Sequence, residues 1–271
     1  MSRIMSIITG MVLIVSVSIM LIAPVKTMAQ VAENISNLEN FYTIHTPTAG
    51  VMKKGQYGID INTFGNGGFV GGISVGLFDR FHMGISYGGE KLIGYDEPKG
   101  NELPGVQVRY RIWEESEAFP AITFGFEMQG HGRWNEDINR YDYKAPGLFT
   151  AMSKNWQAFS GQAFGVHAGV NLNSIEDEDQ QGMDVFVGMN LGLNEQLTAL
   201  VEYDFALDDN KTEKDSLRYG SGLGYLNAGV RLTIAQSLVI EAFAIDLLQN
   251  SEEYNAFGRE LRLTYVETFK F

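Results

Sequence analysis

Along most of the chain, apolar and polar side chains alternate one by one. Phe69, Gly71, Ile73, Val75 and Leu77 interleave with Val70, Gly72, Ser74 and Gly76. After Phe78-Asp79-Arg80 the alternation resumes, with Phe81, Met83, Ile85 and Tyr87 set against His82, Gly84, Ser86 and Gly88. Period two on both sides of a tight turn predicts a hairpin. The glycines of this stretch invite a dinucleotide-loop reading, but Val70 stands where the third glycine belongs and no helical period follows. The same alternation sets Val106, Val108, Tyr110 and Ile112 against Gln107, Arg109, Arg111 and Trp113. In all it predicts twelve strands, near 55–64, 69–77, 81–88, 105–113, 119–129, 148–156, 161–172, 183–193, 196–206, 222–234, 237–248 and 258–271. Most have the length of a tilted strand that crosses a bilayer.

The connections sharpen this picture. Those after the even strands are short, while 89–104, 130–147, 173–182 and 207–221 are long and polar. An even strand count with alternating short and long connections predicts an all-β, single, antiparallel up-and-down transmembrane barrel of the outer-membrane type. A soluble sandwich would need an apolar interior, yet the polar phase here carries Arg109, Arg111, Glu127, Glu202, Asp204 and Arg231. Aromatics near strand ends, among them Tyr57, Phe64, Phe69, Phe81, Tyr87, Trp156, Phe205 and Phe269, suit two interfacial girdles. Lys154, Asp246 and Glu267 fall in the apolar phase, which predicts a bulge, a shifted boundary or an interfacial position there. The final Phe269-Lys270-Phe271 resembles the terminal aromatic signal read by the outer-membrane assembly machinery.

Residues 1–29 start basic, run apolar and close on Thr27-Met28-Ala29, the pattern of a secretory signal peptide. Residues 30–53 are then a periplasmic N-terminal segment or short plug, and 54–271 form the barrel. Removing 1–29 takes away Arg3 and Lys26, lowering the basic count from 20 to 18 against 33 acidic residues and leaving a charge of −15. So acidic a chain argues against nucleic-acid binding. With no cysteine there is neither disulfide nor thiolate. The expected place is the outer membrane of a Gram-negative bacterium, with both mature termini periplasmic.

The polar phase supplies the candidate site. Arg109 and Arg111 are expected beside Glu127, Glu202 and Asp204 beside Arg231, and Glu241 beside Arg262, all lining a lumen. These charges would either select solutes or form a structural network that fills the interior. His82 and His167 join them, with hydrogen bonding rather than metal as their expected role. No histidine–serine motif of a barrel hydrolase stands out, so no enzyme activity and no cofactor are expected. The run Glu176-Asp177-Glu178-Asp179 lacks the spacing of a calcium loop and reads as a solvated loop tip.

Several strings resemble the YjbH family of exopolysaccharide-associated outer-membrane proteins. They are Thr46-Pro47-Thr48-Ala49-Gly50, Pro120-Ala121-Ile122-Thr123-Phe124-Gly125, Ala151-Met152-Ser153-Lys154, His167-Ala168-Gly169-Val170-Asn171 and Glu202-Tyr203-Asp204, in order over most of the mature chain. The resemblance implies a non-enzymatic accessory in exopolysaccharide export or surface assembly, working with polysaccharide or its export machinery, while the acidic outer loops suit divalent cations shared with lipopolysaccharide. Two other readings stand beside it: a small-solute, porin-like channel with a charged lumen, and an adhesin-like barrel acting through its acidic loops.

Overall fold

The computed structural model describes residues 39–137, 139–157, 162–173, 175–176, 182–209, 220–235, 237–251 and 257–269. The expected signal peptide, Asp177 to Asp179 and the last two residues lie outside them. Twelve antiparallel strands form one closed barrel: β1 (Gln56–Phe64), β2 (Gly68–Phe78), β3 (Phe81–Glu90), β5 (Gly105–Trp113), β6 (Ala121–Glu127), β9 (Gly147–Gln157), β10 (Ala163–Asn173), β11 (Gly182–Gly192), β12 (Leu197–Asp204), β13 (Tyr225–Ile234), β14 (Leu238–Ile245) and β15 (Gly258–Thr268). β1 pairs with β15 from Gln56↔Thr268 to Thr63↔Leu261, which closes the ring and leaves no open edge. Three short strands lie in the long connections. β4 (Lys99–Gly100) extends the edge of β3, and β7 (His131–Asn135) pairs with β8 (Arg140–Tyr143) as a separate hairpin.

Each predicted strand is present, and apart from a shift at Trp113 its faces are as the alternation set them. Ile73 is 60% exposed and Ile85 54%, while Val70 and Ser74 of the opposite phase are buried. An exposed apolar belt running round the whole barrel is stable only against lipid. Asn66 and Gly67 both have positive φ, so the one short loop at the long-loop end is a mirror-image turn that favours the Asn-Gly pair. Aromatic pairs gather at the opposite, short-turn end: Tyr57 with Phe269, Phe78 with Phe81, Trp113 with Phe119, and Trp156 with Phe164.

The misfits each have a local cause. Lys154 stays in the outward phase, and its ammonium reaches the turn carbonyls of Ser116 and Glu117 and the Glu115 carboxylate. Asp246 lies past the end of β14, where its carboxylate accepts the N–H groups of Asn250 and Ser251. A register shift between Arg111 and Trp113 turns Trp113 out, 53% exposed, where strict alternation had set it inward. The interior is less polar than expected: Phe149, Phe186, Leu200 and Phe243 are buried inside the ring.

If the belt faces lipid, Ile73→Arg at mid-strand should cost about 2–4 kcal/mol of barrel stability, against about 0–1 for Phe78→Arg at the strand end. Urea unfolding in lipid vesicles measures both.

Candidate functional site

Residues 39–53 run inside the barrel, and the wall's charged side chains grip their main chain. Tyr42 bridges Pro47, the Thr43 N–H donates to the Thr46 carbonyl at 3.0 Å, and the Thr48 N–H to that of Phe41 at 2.9 Å. This tight loop turns its amides outward. The Glu202 carboxylate accepts N–H bonds from Ile44 (2.8 Å), His45 (3.0 Å) and Thr46 (2.9 Å), and the Thr46 hydroxyl at 2.7 Å. Asn227 donates to its other oxygen at 2.9 Å.

The carbonyls of the segment meet arginines. Arg109 donates to the Phe41 carbonyl (2.7 Å), Arg231 to that of Tyr42 (3.0 Å) and Arg262 to that of Ile44 (2.6 Å). Arg111 donates through Nε (2.9 Å) and Nη2 (2.6 Å) to the Ala49 carbonyl, which Thr123 Oγ1 also reaches. The Tyr42 ring lies between two guanidinium groups, 4.5 Å from Arg109 and 5.3 Å from Arg262, and its hydroxyl donates to Glu127. His82 Nδ1 accepts the Met52 N–H at 3.0 Å. At Gly76 any side chain would overlap the Lys53 carbonyl, so the wall is bare where the segment passes.

The expected ion pairs are therefore only partly those formed. Arg109 meets Glu127 (3.3 Å), and Arg262 approaches Glu241 at 3.7 Å. Arg111 turns from Glu127 to Glu39 of the segment and to Glu114. Arg231 pairs with Glu241 at 2.7 Å, because Glu202 is taken up by the segment's amides. Asp204 stands apart and accepts the Ala206 N–H at 2.9 Å.

His167 joins Ser153 Oγ (2.8 Å) to Asn190 Oδ1 (2.7 Å) across β9, β10 and β11. This is a nucleophile–base–orienter chain that sequence spacing did not reveal. Ser153 Oγ also accepts the Ala49 N–H at 2.9 Å, so the chain braces the segment against the wall.

The β7–β8 hairpin folds inward at the long-loop end. His131 stacks on His45 with centroids 3.8 Å apart and planes 7° from parallel. Arg140, 1% exposed, makes a two-pronged pair with Asp209, whose carboxylate also accepts the Tyr225 hydroxyl at 2.6 Å. Glu176, expected at a solvated tip, is instead 1% exposed and accepts the Ala145 N–H at 3.1 Å. Nothing in the polar composition of 130–147 marked this segment as one that turns in. Between segment and wall remains a cavity of about 100 Å³, lined by Asp60, Asn62, Gln107 and Glu127 among others. It has room for several waters but is smaller than the pockets that hold organic ligands.

The fold and this interior define a closed, plugged antiparallel β-barrel with an apolar outer belt. Neither a protein-family model nor a curated protein sequence matches the chain. Among solved structures it is similar to the NanC porin, with 11% identity over 79% of this chain and 100% of that one and a TM-score of 0.40. It is similar also to the KdgM porin, at 8% identity over 79% and 99% with a TM-score of 0.43. The outer membrane protein OprD from Pseudomonas aeruginosa gives 11% identity over 73% and 68%, with a TM-score of 0.33. What those proteins carry belongs to their own lumens.

Two outcomes follow from these contacts. Glu202→Ala removes one acceptor from three buried amides and should weaken closure of the segment by about 3–5 kcal/mol, seen as faster hydrogen exchange at Ile44, His45 and Thr46. Burial pushes the Glu176 carboxyl up to about 7, opposed by the Ala145 N–H and by Arg140 and Lys144. A raised carboxyl stabilises the closed hairpin fully below the unfolded pKa and loses that contribution as pH rises through about 7. The hairpin's opening energy should thus fall, by on the order of 3 kcal/mol, and Glu176→Gln should flatten the profile of Ala145 exchange against pH.

Proposed function

We propose that this protein is an outer-membrane channel for small polar solutes, held shut by its own segment 39–53. The observation that carries the reading is where the wall's charges are spent. A structural network could have paired arginine with carboxylate around the wall. Arg109, Arg231 and Arg262 do keep wall carboxylates, yet with Arg111 and Glu202 they also address main-chain groups of a segment outside the sheet. Withdrawal of the segment would exchange those amides and carbonyls for water and leave a lumen lined by these charges. Both mature termini would then lie on the periplasmic side, with the long loops toward lipopolysaccharide. Assembly would run through the barrel-assembly machinery.

A second reading, an accessory in exopolysaccharide export or surface assembly, draws support from the narrowness of the remaining cavity, about 100 Å³. A barrel with a permanent plug would act by contact rather than conduction.

Planar-bilayer recording separates the two. The full chain should be nearly silent with rare openings, Glu202→Ala should open often, and a chain lacking 39–53 should give a steady ohmic conductance. If that shortened chain shows the heat-modifiable migration of a folded barrel yet stays silent, the channel reading is lost.

A further inference from the structure

A second kind of site lies where the plug, the inward hairpin and the wall meet. His45 comes from the plug, His131 from β7 and Glu260 from β15, and one ligand atom of each lies within 4.8 Å of the others. We propose that these three side chains, with Asn62 of β1, form a binding site for a divalent transition ion of the zinc type. Such an ion would clamp the plug and hairpin to the wall.

Four observations on different atoms converge on this assignment. His45 Nε2 contacts Glu260 Oε2 at 3.0 Å, so an imidazole nitrogen and a carboxylate oxygen already sit together. His131 Nε2 is buried and has no hydrogen-bond partner. Asn62 donates to Glu260 Oε2 at 3.2 Å, which leaves its own Oδ1 as a second buried oxygen without a partner. Unsatisfied buried acceptors are costly and call for a ligand or water. Asn62 and His131 also line the same cavity of about 100 Å³, and His131 and His45 line a second of about 40 Å³, so the cluster has a way in for a small ion.

The donor set suits the class of ion. Two imidazoles, a carboxylate and an amide or water oxygen are borderline ligands that favour zinc-like ions over calcium or magnesium, which take oxygen shells. The stacked rings have parallel planes, and one ion cannot lie in both. Binding therefore tilts the His131 ring and draws the donors in to the roughly 3.3 Å spacing of a tetrahedral site. Binding requires a proton-free His45 Nε2: a neutral ring shifts that proton to Nδ1, and an imidazolium releases one proton to solvent.

Binding at this cluster does not depend on whether the barrel conducts, and the test is chosen accordingly. Zinc is titrated into the full detergent-folded chain against a chromophoric chelator. One equivalent should bind with a dissociation constant on the order of 1 µM or tighter. His45→Asn and His131→Asn should each weaken it at least about tenfold, with heat-modifiable migration showing that each variant is folded. X-ray absorption of the bound zinc should show nitrogen donors at about 2.0–2.1 Å. Hydrogen exchange across 41–49 should slow with zinc in the parent chain and remain unchanged in His131→Asn. If the variants fail to fold, the absorption spectrum of the parent chain decides alone. An all-oxygen shell, or binding that neither substitution alters, would assign the zinc to surface carboxylates and overturn the proposal.

Discussion

The interior depends on one carboxylate. Glu202 is 1% exposed on the inner face of β12, and a lone anion there would be far too costly to keep. Three successive amides of the plug, a hydroxyl and the Asn227 amide surround it instead. The turn between Tyr42 and Pro47 aims those amides at one point, and only a closed turn can do so. The carboxylate thus shapes the plug, and the plug makes the carboxylate tenable.

Once Glu202 is committed to the plug, the arginines must find other partners. Arg231 takes Glu241, Arg109 takes Glu127, and each still has a donor to spare for a plug carbonyl. The result alternates in sign along the segment: carbonyls on guanidinium groups, amides on a carboxylate. Tyr42 fills the gap between Arg109 and Arg262 with its ring, so the cationic side chains gain a face as well as an oxygen. A twelve-strand barrel is too wide for its own side chains to fill and too narrow for a broad water column. A segment of one loop's thickness, with Ile44 against Leu200, Phe243 and Ile245, resolves that mismatch.

The barrel was legible because alternation is a local property: each strand's two faces can be read without knowing its neighbours. The inward placing of Arg109, Arg111, Glu202, Arg231 and Arg262 followed from phase alone. What phase cannot give is the partner. Glu202 lies one strand from Arg231, and adjacency suggested a pair, yet 158 residues separate Glu202 from the Ile44 amide it holds. The inward fold of 130–147 was hidden for the same reason, since its contacts with His45 and Asp209 are made across the lumen. Trp113 misled because a bulge resets the phase, and period two cannot announce its own interruption. The Ser153–His167–Asn190 chain escaped notice because its members are separated by more than ten residues each.

The manner of attachment also bears on whether the plug can leave. Its contacts are mostly main-chain groups with wall side chains, and each such bond exchanged for water changes stability by only about 0.5–1.5 kcal/mol, or about 1.5–3 where a charge takes part. Its apolar anchors are few: Ile44, Val51 and Met52 are its large buried aliphatic side chains among the described residues. Each costs about 1.5–3 kcal/mol to expose. A plug held by apolar surface would lose that contribution outright on entering water, whereas polar groups on both sides recover most of theirs. Gly55, at φ 79° and tied to the Gly76 carbonyl and the Phe269 N–H, marks the joint between plug and β1. The contacts are thus numerous enough to specify one closed arrangement and individually weak enough, once hydrated, to be given up.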